Sequence, residues 1–156
     1  MTRALSWNDL EGTQAIKDVV AKRIPSWKDG LRPFQEQPII HILKGKDVLL
    51  CNATGDGKPA LFTVPILCHL EISDFPEAYP SLPAKSRPVG LIVTPTKELA
   101  GNIVTQLSEY GIVTLSYCHE TLTAARKSGR NLTKEIAACK MYQVICVDPE
   151  HILGSE

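Results

Sequence analysis

The sequence has no net charge, no CxxC pair and no apolar run long enough to span a membrane. Its 17 basic and 17 acidic side chains cancel, so any binding of nucleic acid or of an anionic membrane requires a local patch. The five cysteines are odd in number and well separated, which favours free thiols in a reducing compartment over a disulfide framework. We therefore expect a cytosolic or nuclear protein without a membrane span or signal peptide.

The sequence also lacks a convincing set of metal ligands. Cysteine and histidine are adjacent twice, at Cys68 and His69 and at Cys118 and His119. Neighbouring side chains point in different directions along a helix or a strand, so each pair is poorly suited to shared ligation, and no metal site is predicted.

The composition is that of an ordinary globular domain. Hydrophobic residues make up 44% of the 156 positions and charged residues 22%, close to globular averages. This length suits one domain. We predict a helical lead-in over residues 1–30, a main domain over 31–156, and a proline-rich surface loop over 73–89.

Helical and extended patterns alternate along the chain. Apolar spacings of three and four predict an amphipathic helix over 8–24 with Asn8 as its N-cap, and a short helix over 39–43 that begins close to Pro38. Apolar runs predict four buried strands, at 46–53, 90–96, 112–118 and 142–148. Strands that alternate with helices predict an α/β fold with a mostly parallel sheet.

Residues 51–62, CNATGDGKPALF, are typical of a phosphate-binding loop with one altered position. Such loops place glycines and backbone N–H groups around phosphates at a strand-to-helix turn, and a lysine neutralises charge. Gly55, Gly57 and Lys58 meet these requirements. Pro59 stands where a Ser or Thr hydroxyl would ligate Mg²⁺, and Asp56 adds a charge that repels phosphate. The alternative is a glycine-rich turn without a ligand.

Four motifs occur in a set order: LRPFQ, ATGDGK, LIVTPTKELA and VICVDPEHIL. Their order resembles that in the first RecA-like domain of RecQ-like DEAD/DEAH-box DNA helicases, particularly fungal ones, over roughly residues 31–153. The resemblance implies a RecA-like P-loop NTPase fold with three layers, incomplete at its C-terminal side.

The resemblance also implies an ATP-binding site. No catalytic residue is predicted in this chain. In this family an arginine that matches Arg32 packs on the adenine base, and a glutamine that matches Gln35 forms hydrogen bonds with the edge of the base. The segment ATGDGK resembles motif I of the family. The predicted ATP-binding residues are Arg32, Gln35, Thr54, Gly55, Asp56, Gly57 and Lys58. Mg²⁺ is expected for the family, but Pro59 replaces its hydroxyl ligand.

The segment VTPTKELA resembles motif Ia, which contacts a single nucleic-acid strand. The resemblance assigns this contact to Thr94, Thr96 and Lys97, and the alternative is a helix N-cap with a solvated lysine. VDPEHIL carries Asp148 where related helicases have Ser or Thr, which disfavours phosphate contact. A basic run over 126–134 either assists binding or forms a solvated helix face.

The resemblance implies an ATP-dependent 3'-5' DNA helicase of the nucleus, with DNA as partner. No DEAH or DEAD sequence follows VDPEHIL, so we expect neither ATP hydrolysis nor unwinding by this chain alone. Two alternatives remain: a noncatalytic helicase paralogue that acts as an interaction module, and a small P-loop kinase. The oligomeric state is left open.

Overall fold

A computed structural model describes residues 7–51, 53, 55 and 57–152. The chain divides into two compact units, Met1–Ser86 and Arg87–Glu156. The first unit contains the helices α1 (Leu10–Arg23), α2 (Pro33–Leu43) and α3 (Ala60–Asp74). The second contains β1 (Gly90–Val93), α4 (Lys97–Glu109), β2 (Thr114–Tyr117), α5 (His119–Lys127), α6 (Leu132–Ala137), β3 (Val144–Val147) and α7 (Pro149–Ile152).

The first unit is built around α3, which packs against both α1 and α2. The predicted amphipathic helix is confirmed as α1, although its N-cap is Asp9 rather than Asn8. Helix α3 is apolar around most of its circumference, as a helix with neighbours on two sides must be. The buried apolar residues of the three helices include Ile16, Val19, Val20, Ile39, Ile40, Leu43, Val64, Leu67 and Cys68.

A buried carboxylate joins α1 to α3. Glu71 is 1% exposed and pairs with Lys22 at 2.5 Å and with Arg23 at 3.3 Å. The Lys22 ammonium also lies 4.4 Å from the centroid of the Phe75 ring. Because a buried charge requires a partner, these two cations allow the carboxylate to remain inside the helix packing.

Helix α2 contradicts the prediction that a short helix begins close to Pro38. It starts at Pro33, and Pro38 lies inside it. Proline at the first helical position sacrifices no hydrogen bond, and the Gln35 side chain accepts a 2.8 Å bond from the Arg32 backbone N–H. These contacts stabilise a first turn that continues through Pro38, whose ring removes one helical hydrogen bond.

The buried strand predicted over 46–53 is also wrong for the residues that the structure describes. Residues 46–51 form no strand, and Leu49 is 93% exposed. An extended segment becomes a strand only when neighbouring strands pair with its backbone. The described sheet has the order β1-β3-β2 and includes no pairing with this segment.

The proline-rich segment 73–89 contains a single 3-10 turn, Pro76–Ala78. Helix α3 extends into its first two residues, and the side chain of Leu82 is buried. Elsewhere the segment is irregular. None of the helices in the described part of the chain is long and apolar enough to cross a membrane.

The second unit confirms the α/β fold with a parallel sheet. Strand β3 lies between β1 and β2 and runs parallel to both, with Val144 level with Gly90 and Thr114. All four β3 residues are buried, as expected for a central parallel strand. A core of Leu115, Ala125, Leu132 and Ile145 holds α5 and α6 to the sheet.

Among the described strands, β1 lies at an edge of the sheet. Gly90 and Thr94 direct their N–H groups to β3, at Gln143 O and Val147 O. The alternation of a strand therefore directs the backbone groups of Leu91 and Val93 away from β3. These two residues are 63% and 51% exposed.

Candidate functional site

The first candidate site begins at Gln35, in the first turn of α2. Its side chain is buried, with the residue 3% exposed. Its Oε1 accepts a hydrogen bond from the Arg32 N–H, and its Nε2 donates one to the Gly57 carbonyl, each at 2.8 Å. The amide therefore connects the start of α2 to the loop, the name used from here for residues 51–59.

Arg32 lies beside the loop, as Gln35 does. It is the N-cap of α2, and its extended backbone (φ −71°, ψ 149°) ends the preceding turn. A Cβ built on Gly57 would lie 3.8 Å from the Nε and Cζ atoms of Arg32. The structure thus brings three of the predicted ATP-binding residues, Arg32, Gln35 and Gly57, into one cluster.

The loop requires glycine at two positions. Gly55 has φ +88° and Gly57 has φ +78°, values that L-residues with side chains rarely adopt. At Gly57 a Cβ would also approach Gln35 Nε2 to 2.9 Å, whereas at Gly55 no atom of a described residue would lie within 4 Å of a Cβ. Thr54 and Asp56, which were predicted to bind ATP, lie outside the described residues.

Lys58 has an acceptor within the loop. Its Nζ donates to the Ala53 carbonyl at 2.7 Å, so the cation predicted to neutralise phosphate is turned towards backbone oxygen. An ammonium carries three donors, and among the described residues this contact uses one of them.

Pro59 supports the helix that follows the loop. Its backbone is helical (φ −53°, ψ −26°), and its carbonyl accepts from Thr63 N at 3.0 Å. Proline suits this place because its φ is already helical and an N–H there has no acceptor in the helix. The ring still provides neither a hydroxyl for Mg²⁺ nor an N–H for phosphate.

A cavity of about 300 Å³ opens beside the segment that precedes Arg32. Its lining residues are Lys17, Val20, Ala21, Trp27, Lys28, Asp29, Gly30, Leu31 and Glu36. Trp27 was not among the predicted site residues, although an aromatic residue five positions before the predicted adenine-packing arginine is a usable signal. An indole offers a flat surface for a base.

The second candidate site lies where β1 ends and α4 begins. Thr94 is 1% exposed, and its hydroxyl has no hydrogen-bond partner among the described residues. Thr96 is the N-cap of α4 and accepts a 3.3 Å bond from Leu99 N. Lys97 is the first residue of α4, and its Nζ lies 2.6 Å from Oε1 of Glu120.

Carboxylates lie close to this junction. The hydrogen bond from Lys97 lowers the pKa of Glu120 to about 2, and the same bond raises the pKa of Lys97, with smaller contributions from the charges of Cys118 and Asp148. Asp148 follows the parallel strand β3, so it belongs to the same edge of the sheet. The edge predicted to contact phosphate therefore presents one cation and two anions.

The basic run has mixed surroundings. Arg130 forms a two-point ion pair with Glu135, at 3.0 and 2.5 Å, and donates to the Tyr142 hydroxyl at 2.9 Å. Arg126, Lys127 and Lys134 are exposed. Arg130 is thus engaged in the packing of α6, which agrees with a structural function for part of the run.

A metal site finds no support within the described residues, which contain no group of three or more His, Cys, Asp and Glu side chains that could hold an ion. All five cysteines are free, with Cys68 and Cys146 buried. Burial raises the pKa of the Cys146 thiol to about 11, which keeps it in the unreactive protonated form.

Residues 32–155 of the chain match the sequence model of the DEAD/DEAH box helicase family. The chain belongs to this family. The match covers both candidate sites, from Arg32 to the residues after β3. The prediction of a DEAD/DEAH-box helicase domain is therefore confirmed.

Relatives of this helicase domain are considerably longer than the chain. A probable ATP-dependent RNA helicase, vasa-like, of Penaeus vannamei is 31% identical over 86 residues, which are 55% of this chain and 12% of that protein. The ATP-dependent RNA helicase DeaD of Haemophilus influenzae is 29% identical over 157 residues, covering 98% of this chain and 22% of that protein. The activities of the complete proteins do not follow from matches of this extent.

A solved structure confirms the fold. The RNA helicase Prp28 from Chaetomium thermophilum, bound to ADP, matches with a TM-score of 0.54 and 22% identity over 94% of this chain and 33% of that one. These three proteins are named RNA helicases. The narrower prediction of a RecQ-like DNA helicase receives no support from them.

Proposed function

We propose that the chain is the ATP-binding part of an ATP-dependent RNA helicase. The observation that carries this proposal is the Gln35 amide, which joins the adenine-recognition segment to the loop through Arg32 and Gly57. A nucleotide needs a base contact and a phosphate contact held at a fixed separation. The amide provides that fixed relation.

The hydrogen-bonding capacity of Gln35 suits this function. A glutamine amide has two N–H donors and two acceptor lone pairs, and the contacts to Gly57 and Arg32 use one of each. Within the part of the chain that the structure describes, one donor and one acceptor remain, which is the combination that pairs with N7 and N6–H of adenine. Arg32 would pack its guanidinium plane on the base, with Trp27 as a second flat surface in the adjoining cavity.

The phosphates would lie against the loop. Gly55, Gly57 and Lys58 supply a close backbone approach and a cation, and Thr54 and Asp56 belong to the same proposed site. Because Pro59 has no hydroxyl, Mg²⁺ gains no protein ligand there, and we expect weak ATP binding that depends little on Mg²⁺.

Titration with a fluorescent ATP analogue, with Mg²⁺ and with EDTA, tests this proposal. Lys58→Ala should weaken binding about tenfold or more, the size of one charge-assisted contact. Lys46→Ala removes the same charge from an exposed position shortly before the loop and should leave affinity unchanged. Equal effects of the two substitutions would exclude Lys58 as a phosphate ligand.

The proposed nucleic-acid contact is formed by Thr94, Thr96 and Lys97. Support comes from the buried hydroxyl of Thr94, for which the described residues offer no hydrogen-bond partner, and from the N-terminus of α4, whose first N–H groups have no acceptor within the helix and favour phosphate. RNA is proposed as the partner because the relatives are named RNA helicases. DNA as partner, 3'-5' unwinding and a nuclear location remain predictions from the RecQ-like resemblance.

Fluorescence anisotropy with single-stranded RNA and DNA of one sequence distinguishes these partners. We expect RNA to bind more tightly, and a preference for DNA would restore the RecQ-like interpretation. A noncatalytic interaction module is the second candidate, favoured by Pro59. It requires a cooperatively folded chain whose thermal unfolding does not respond to ATP or to either nucleic acid.

A further inference from the structure

Lys97, the cation of the proposed nucleic-acid contact, is already paired with the carboxylate of Glu120. Lys97 begins α4, and Glu120 is the second residue of α5. Their charged atoms are 2.6 Å apart, and the side chains are 60% and 64% exposed. A ligand can therefore reach both of them from solvent.

The pair is charged at every pH at which the protein is handled. The pKa of Glu120 is about 2 because of its hydrogen bond to Lys97, and the pKa of Lys97 is raised by the same bond. Asp148 adds a second negative charge nearby. A phosphate that approaches Lys97 meets two carboxylates of its own sign.

We propose that Glu120 is an internal competitor for phosphate, which holds Lys97 and so lowers the affinity of this edge for a nucleic-acid strand. The inference rests on the proposed function of Thr94, Thr96 and Lys97. Glu120 does not touch the strand in this scheme. It acts through Lys97 and is therefore a positioning residue.

Electrostatics favours competition over joint binding. An ammonium has three donors, so a carboxylate and a phosphate could both reach Lys97, but the two anions would then lie within a few ångströms of each other and repel. Exposed ion pairs between flexible side chains are weak, so phosphate can replace the carboxylate. The result is a reduction of affinity rather than a block.

Glu120 also stabilises α5, and the test must distinguish this effect from the competition for Lys97. An acidic residue in the first turn of a helix stabilises the positive end of its dipole, so its removal weakens α5 slightly. Glu120→Asp keeps the charge and this stabilisation. Glu109→Gln, at the other end of α4, changes the net charge of the chain by the same amount.

The experiment measures the binding of a short fluorescent single-stranded RNA to the full chain by anisotropy, at about 0.1 M salt where distant charges are screened. Glu120→Gln should raise affinity by about threefold to tenfold, because it removes the exposed ion pair and makes Lys97 available to contact a phosphate. Glu109→Gln should change affinity by less than about twofold, and Glu120→Asp should behave as the unaltered chain. Combined with Lys97→Ala, Glu120→Gln should give no gain beyond that of Glu109→Gln.

The variants separate the two ways in which the inference can fail. If Lys97→Ala does not weaken RNA binding, the proposed contact itself is wrong. If Lys97→Ala weakens binding but Glu120→Gln and Glu109→Gln are equivalent, the contact stands and the competition is overturned. Thermal unfolding of each variant checks the fold, and Glu120→Ser, which suits a first helical turn, replaces Glu120→Gln if that protein unfolds early.

Discussion

The side-chain amide of Gln35 and the backbone carbonyl of Gly57 are joined by a 2.8 Å hydrogen bond that connects the start of α2 to a loop 22 residues later. The same amide accepts from Arg32 N. One buried side chain therefore satisfies two backbone groups that belong to separate parts of the predicted ATP site.

Replacement of Gln35 by alanine should destabilise the protein by about 1–3 kcal/mol, because a buried donor and a buried acceptor lose their partner. Nucleotide affinity should fall as well, since the loop loses its connection to α2. Urea unfolding and fluorescent nucleotide titration measure the two effects. The matched control is Gln37→Ala, at an exposed position of the same helix, where unchanged stability is expected.

The two glycines of the loop should differ in their response to alanine. Both have positive φ, so each substitution costs about 1 kcal/mol of backbone strain. Gly57→Ala also places a Cβ 2.9 Å from Gln35 Nε2, and this amide can move away only by giving up its hydrogen bond to the Gly57 carbonyl, which adds about 1–3 kcal/mol when the buried donor is left unsatisfied. Chemical denaturation of both variants gives the difference, and equal losses would contradict the close approach of Gln35 to the loop.

Substitution of Pro59 by threonine should make nucleotide binding depend on Mg²⁺. The hydroxyl restores a metal ligand, and we expect about tenfold tighter binding with Mg²⁺ than with EDTA, equivalent to one contact to a charged group. Pro59→Ala is the control, because it restores the N–H alone and should improve binding equally under both conditions. Tight Mg²⁺-dependent binding by the unaltered chain would refute this account of Pro59.

The protein should lose stability as the pH falls from 6.5 towards 4. Burial, with a smaller effect of Lys85, lowers the pKa of His69 from 6.5 to about 4, so the unfolded chain binds this proton more readily than the folded protein. The contribution is complete above pH 6.5 and is lost as the pH falls through this range, by about 1–2 kcal/mol after allowance for the partly exposed ring. Urea unfolding at several pH values measures the slope.

Two histidine variants test the origin of that slope. His69→Gln removes the titrating ring and should flatten the dependence between pH 4 and 6.5. His41→Gln removes an exposed ring from α2 and should leave the slope as it is. A slope that persists in His69→Gln would assign the pH dependence to another group.

Local sequence patterns predicted the positions of one helix and three strands. Helix α1 and the positions of β1, β2 and β3 were predicted correctly from periodicity and apolar runs, although each strand is shorter than predicted. The prediction that all of them are buried was wrong, because only β3 is buried along its whole length and β1, an edge strand, has no buried residue. The strand predicted over 46–53 was wrong, although its residues are equally apolar. Its formation depends on partner strands, which a local pattern does not describe.

The sites show the same division. The glycines of the loop were recognisable because a positive φ imposes a residue type at one position. The contacts of Gln35 with Gly57 and of Lys97 with Glu120 join side chains 22 and 23 residues from their partners. Such contacts leave no periodic signal, and only the folded structure reveals which predicted ligands already have an internal partner.

Strand β1 has a practical consequence for all of these measurements. Its outward backbone groups and the exposed side chains of Leu91 and Val93 offer a template on which another extended segment can pair. Such pairing between copies is bimolecular, so its rate rises with the square of the protein concentration. Repeating each measurement at several protein concentrations therefore checks that it reports on single molecules.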